Sequence, residues 1–140
     1  MSKSGFDYSE FEKYSRNFTR MTNEYNSWIK QFITSEGMRF IAGVKRRTPV
    51  DTGDLRDHWQ LDGITRSGNE LHCWFVNSMN YATFVEYGHA KPYKAGAAEG
   101  SPDWVQGSFM MTVTLDEIYK KMPARFNASF RKFLDSMEVL

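Results

Sequence analysis

Several things are scarce in this sequence, and each scarcity removes a class of function. One cysteine, Cys73, stands in the whole chain, so no disulfide can form within it. That usage fits a reducing compartment. No apolar run approaches the roughly 20 residues needed to cross a bilayer, and the opening MSKSGFDYSEFEK lacks the apolar core of a secretory leader. Folding in a cytoplasm, away from membranes, is the expectation. An excess of one charge is also lacking. The formal net charge is +1, which supplies no strong field to draw the protein to nucleic acid or anionic lipid. Phosphate loops, dinucleotide fingerprints and nucleophile elbows do not occur.

What is abundant is apolar and aromatic. The 140 residues are 41% hydrophobic and 16% aromatic. That is ample for a core, and the length suits one domain over 1–140. Tyr, Trp, Phe and Met together make 30 of the 140 residues. A domain this small can hardly bury them all, and such residues are enriched at protein interfaces.

Periodicity points to an α+β fold. Large apolar residues fall at Phe11, Tyr14, Phe18, Met21, Tyr25, Trp28 and Phe32. Steps of three and four form one stripe on a helix. Ser9 and Glu12 have capping-box spacing at its start, and residues 1–8 ahead of it are expected to be flexible. A second apolar set runs Ile29, Ile33, Phe40, Ile41 and Val44. One long helix, or two joined near Thr22–Asn23 or Ser35–Gly37, is expected. It closes on Lys45, Arg46 and Arg47, where the helix dipole favours cations, and Pro49 forbids its continuation. Asp51 or Thr52 can then cap a short turn through Leu55 and Arg56.

Residues 58–66 and 70–77 read as a β-hairpin about Ser67, Gly68 and Asn69. The second strand is apolar on both faces: Leu71, Cys73 and Phe75 on one, Trp74 and Val76 on the other. A short helix within NYATFVEYGH is expected to end at Gly88 in the left-handed conformation. Residues 89–103, with two prolines and two glycines, lack either period and are expected to form a mobile loop. Thr112 and Thr114 flanking Val113 favour a strand, with the last helix starting near Leu115; an earlier start near Phe109 is the alternative. Pro123 either kinks that helix or begins another. The architecture is thus a long N-terminal helix, a small antiparallel sheet built on a hairpin, a short middle helix and a C-terminal helix.

Candidate chemistry is thin. His72 and Cys73 are adjacent, so on a strand they point to opposite faces. That opposes a nucleophile–base pair and favours an inert thiol. His58, His72, His89 and Glu86 lack metal-ligand spacing. A small hydrolase or nuclease using His89 and Glu86 is a further alternative. Asp51, Asp54 and Asp57 are spaced by three, a pattern more typical of capping or solvating a turn than of binding metal. Lys45, Arg46, Arg47, Arg56 and Arg66, with Trp59 and Trp74, can be read as a nucleic-acid surface. The plainer reading is a helix-end charge cluster beside core tryptophans. From the residues alone the chain is a non-enzymatic, interaction-rich domain with no catalytic, cofactor-binding or metal site.

Three motifs in order add to this: TPVDTGDLRDHW at 48–59, VNSMNYATFVEYGH at 76–89 and WVQGSFMM at 104–111. Together they resemble the tail-component family of long-tailed double-stranded DNA phages, named for a tenth gene product of a lambdoid coliphage. The resemblance covers roughly residues 30–118. Its motif positions here are Pro49, Val50, Asp51, Thr52, Gly53, Leu55, Arg56, Asn77, Tyr81, Ala82, Glu86, Tyr87 and Gly88. The aromatic N-terminal helix and the long loop after His89 depart from the family pattern.

The resemblance implies a structural virion protein of the head–tail connector or tail end. Such a protein forms a ring, commonly sixfold, around the DNA channel. Its partners would be copies of itself, connector proteins, and tail-tube or tail-terminator proteins. DNA would pass without sequence-specific contact, and assembly would occur in the host cytoplasm. Trp74, Val76, His89, Lys91, Tyr93 and Trp104 are the candidate interface residues. Arg56 is a candidate ion-pair partner for a carboxylate such as Glu86. A nucleic-acid-binding protein using the Lys45–Arg47 patch is the alternative.

Overall fold

A computed structural model describes residues 8–137. Of residues 1–8, expected to be flexible, 1–7 lie outside the described residues, as do the side chains of Phe11 and Tyr14, and Tyr8 begins the first helix. The elements are α1 (Tyr8–Arg47), α2 (Asp54–Asp57), β1 (Trp59–Ser67), β2 (Glu70–Asn77), α3 (Ala82–Tyr87), β3 (Gly88–Ala90), β4 (Trp104–Gln106) and α4 (Met110–Met137). The fold is α+β. The chain forms two compact units, one of residues 33–123 and the other of 1–32 with 124–140.

In the second of these, the early part of α1 meets the later part of α4. Trp28 lies 5.3–5.4 Å, ring to ring, from Phe126, Phe130 and Phe133. Phe32 meets Phe126 edge-on and Tyr25 meets Phe133 edge-on. Pairing that runs 32 to 126 and 25 to 133 makes the two segments antiparallel. The Trp28 indole N–H donates to Ser129 Oγ at 2.9 Å. The end of the α1 stripe, Tyr25, Trp28 and Phe32, is therefore an aromatic seam, whereas Phe18 earlier in it is exposed.

In the unit of residues 33–123, Phe40, Ile41, Val44, Leu55, Trp59 and Met110 form the core. The Phe40 ring meets Trp59 edge-on and lies 4.1 Å from Phe75. Burying a side chain of that size stabilises by about 2–3 kcal/mol. Helix α1 runs without a break through Gly37 and Gly43. A side chain at Gly43 would come within 2.9 Å of Thr114, so this glycine permits close helix approach.

Strands β1 and β2 pair antiparallel from Trp59↔Asn77 to Ser67↔Glu70, with a two-residue turn at Gly68–Asn69. The register shifts between Leu61 and Gly63. That bulge has a visible cause. Trp59, Leu61 and Ile64 break the two-residue alternation, and one extra residue lets all three face the side of Phe75 and Cys73.

Three expectations are corrected. Residues 89–103 are not loop throughout: β3 and β4 pair antiparallel, Gly88↔Gln106 to Ala90↔Trp104, leaving 91–103 as the connection. Residues 112–114 are helix, with α4 starting at Met110, the earlier of the two expected starts. Gly88 ends α3 with φ 88° but ψ 174°, an extended departure in place of the left-handed turn. The first two have one cause, described next.

Candidate functional site

The corner after α1 is built by two threonine-centred bonds and one glycine. Thr48 Oγ1 donates to Val44 O at 2.6 Å and accepts the Trp59 indole N–H at 3.0 Å. The hydroxyl thus ends the helix and fixes the start of β1. Gly53 has φ 90°, which disfavours any side chain there. It occupies the cap position of α2 with no side-chain cap bond. Thr52 Oγ1 instead accepts the Asp54 amide at 3.3 Å. Asn77, at the end of β2, donates to Leu55 O at 2.7 Å and accepts the Met79 amide at 3.0 Å. The first and second motifs are therefore joined in space.

Between them lies an open cavity of about 440 Å³. Pro49, Val50 and Leu55 line it from the corner; Met79, Tyr81 and Val85 line it from the approach to α3 and from α3 itself. Asp51 and Asp54 also line it. Arg56 pairs with its neighbour Asp57 at 3.2 Å and not with Glu86.

Glu86 has another task. It is only 3% exposed. One carboxylate oxygen accepts the Met111 amide at 2.8 Å; the other accepts the Thr112 amide at 2.9 Å and the Thr112 hydroxyl at 2.6 Å. A carboxylate from α3 thus caps the N-terminus of α4, satisfying orphan amides and the positive end of the dipole. This is why α4 starts at Met110. Its cap lies 25 residues upstream, where local spacing shows nothing. Beside it, the Val85 and Glu86 carbonyls accept the Ser108 and Phe109 amides. A Cβ on Gly88 would lie 2.5 Å from Val105 O, and one on Gly107 would lie 2.4 Å from Glu86 O. Two glycines let the backbones cross, and the crossing seats the second hairpin.

Thr114 repeats the device seen at Thr48. Its hydroxyl donates to Met110 O at 2.5 Å and accepts Arg47 Nη1 at 3.1 Å. Arg47 also pairs with Glu117. Hydrogen bonds from Arg47 and then Lys121, with the Arg47 charge, hold the Glu117 carboxyl below its ordinary range. One member of the Lys45–Arg47 cluster is therefore occupied within the fold. Sequence reading missed Thr114; the available signal was its place four residues after Met110 in an apolar helical stripe.

The remaining candidates separate into two groups. Trp74 and Val76 stand on the outer face of β2, with the Trp74 indole donating to Thr65 Oγ1 at 2.7 Å. Tyr93 is 71% exposed. His89, Lys91 and Trp104 are half-buried at the foot of the 91–103 connection. The His89 ring packs edge-on against Phe84, and the Lys91 amide donates to Asp103 O at 2.8 Å. Trp104 Nε1 and Ser101 Oγ are buried without a partner. Tyr87 is half exposed and packs edge-on against Phe109.

Burial raises the Cys73 thiol above its usual range, which disfavours the thiolate. Among the described residues no group of three or more His, Cys, Asp or Glu could hold a metal ion, and no helix is long and apolar enough to cross a membrane.

Comparison with known proteins adds one positive finding. A family model described as "Bacteriophage HK97-gp10, putative tail-component" matches residues 12–88, more than half of the chain. The match takes in most of the aromatic helix, the first motif and the second as far as Gly88, and stops before the third. No curated protein and no solved structure matches the chain.

Proposed function

The chain belongs to the HK97-gp10-like family of phage tail components, and from that premise we propose that it is a non-enzymatic virion protein of the head–tail connector or tail end. In this reading copies of the chain form a ring, sixfold, around the DNA channel. Connector proteins and tail-tube or tail-terminator proteins contact its rims.

The observation that carries the reading is the surface of residues 33–123. Trp74, Phe84, Tyr87 and Tyr93 are each more than half exposed. Large aromatic side chains left in water are what an assembling subunit hands to its neighbours. A ring needs two different complementary patches on each copy. The outer face of β2 and the second hairpin are two such patches. Residues 89–103 are proposed to be mobile in the free protein and to become fixed on assembly. The two unpartnered polar atoms at the foot of the loop support a rearrangement there. Near-neutral charge suits a conduit, since a strongly cationic lumen would grip the genome.

Electron microscopy of particles made without this protein tests the role. Separate heads and tails, or unfinished tails, are expected; infectious particles lacking the chain would end the proposal. Genes for portal, capsid and tail-tube proteins on either side would agree with it. Amide exchange tests the loop: fast exchange across 91–103 in the free chain and slow exchange in the virion are expected, and protection already present in the free chain would count against it.

A further inference from the structure

The geometry points to a specific contact between copies: we propose that the apolar cavity at the Pro49–Leu55 corner receives the Tyr93 side chain of a second copy of this chain. The proposal rests on the assembly reading above and names the surfaces that would make it.

The receiving site is a preformed hollow of about 440 Å³, large enough for an aromatic ring. Its walls are Pro49, Val50, Leu55, Met79, Tyr81 and Val85, and the stretch Asp51–Asp54 completes the lining. Val50 is 58% exposed, so the wall is open to solvent. The donor is the stretch Lys91-Pro92-Tyr93-Lys94. Tyr93 is the most exposed large apolar residue among the described residues. It stands in a chain of tight turns, with the Lys94 amide bonded to Lys91 O and the Ala97 amide to Lys94 O. A tyrosine has only two side-chain torsions to fix, so its ring loses little rotamer freedom on docking, which favours its use as an anchor.

Charge selects this occupant. Two exposed acidic residues, Asp51 and Asp54, are in the cavity lining, and Tyr93 is followed directly by Lys94, itself exposed. An apolar anchor in a pocket with a cation meeting acids around it is the arrangement of an interface hot spot. Placement agrees. Tyr81 and Val85 line the cavity just before and within α3, whereas the Lys91–Lys94 finger follows α3 and β3. Pocket and finger are thus different patches of one unit, as a head-to-tail contact requires.

The test uses the full chain, with assembly followed by native mass spectrometry and in purified particles. Tyr93→Ala and Lys94→Asp should each weaken self-assembly by about tenfold or more, the loss expected of an anchor residue, with thermal unfolding unchanged. Asp54→Lys should weaken it too, and Asp54→Lys combined with Lys94→Asp should recover most of the loss. As a second readout, Tyr81→Cys with Tyr93→Cys in a Cys73→Ser chain should oxidise to a ladder of covalent oligomers. Rings that form normally in all three single variants, with no ladder, overturn this contact and leave the assembly reading standing. Rings that persist while Tyr93→Ala abolishes joining to a connector protein assign the finger to that partner and also overturn it. A wild-type chain that is monomeric both in solution and in particles overturns the contact and the assembly reading together.

Discussion

The two compact units of this chain are held by different physics. In the unit of residues 1–32 with 124–140, the described contacts are mostly aromatic: Tyr25, Trp28 and Phe32 against Phe126, Phe130 and Phe133. Such contacts are weakly directional, so neighbouring apolar shapes can substitute for one another. In the unit of residues 33–123, buried polar groups tie elements that are far apart in sequence. Thr48 joins α1 to β1, Glu86 joins α3 to α4, and Thr114 joins α4 to Arg47 of α1. Those bonds need particular atoms at particular distances, and a partner left without them costs more than the bond itself contributes. One unit should therefore tolerate substitution by size, the other only by chemistry.

The largest effect is expected where chemistry is removed from the polar unit. Glu86→Leu leaves two amides and a hydroxyl without their acceptor. It should lower stability by about 3–5 kcal/mol in urea unfolding, with Glu86→Gln costing about half as much. A loss under 1 kcal/mol for Glu86→Leu would erase the distinction between the units.

The aromatic unit should show the opposite pattern. Trp28→Ala removes a ring that touches five others, at an expected cost of about 2–3 kcal/mol. Phe130→Leu keeps the apolar volume and should cost less than about 1.5 kcal/mol. If the leucine variant proved as damaging as the alanine one, the seam would depend on ring geometry after all.

A third measurement isolates backbone from side chains. Gly53 holds φ 90°, so Gly53→Val should cost about 1–3 kcal/mol through strain alone. An unchanged melting temperature would reject that backbone geometry.

The smallest effect is electrostatic. The Glu117 carboxyl is held below its ordinary range, chiefly by the hydrogen bond from Arg47. A depressed carboxyl stabilises the fold above its unfolded value, and that contribution is lost as pH falls through the folded one. Stability measured on acidification should therefore fall less steeply in Glu117→Gln than in the parent chain. The group is open to solvent, and the difference should shrink further in high salt.

What could be read without coordinates follows the same division. The spacing from Phe18 to Phe32 is a local, periodic signal, so the helix and its apolar stripe were legible. So were the stop at Pro49 and the first hairpin, although Ser67, expected in its turn, belongs to β1. The bulge at Gly63 was implicit in the broken alternation of Trp59, Leu61 and Ile64, though it went unread. The second hairpin was not legible. Its strands are three residues each, too short for alternation to register, and they are placed by the crossing of Gly88 with Gly107. Residues 112–114 looked like strand because threonine and valine favour it locally; a distant carboxylate decided otherwise.

The sequence by itself determined the helical stripe, the corner and the family to which the chain belongs, because each is written in residues near one another. Only the tertiary structure decided where α4 begins, that Glu86 faces inward and not toward Arg56, and that the corner encloses a cavity beside α3. Those outcomes depend on donors and acceptors 20 or more residues apart, and a buried polar group takes whatever partner the packed chain brings to it.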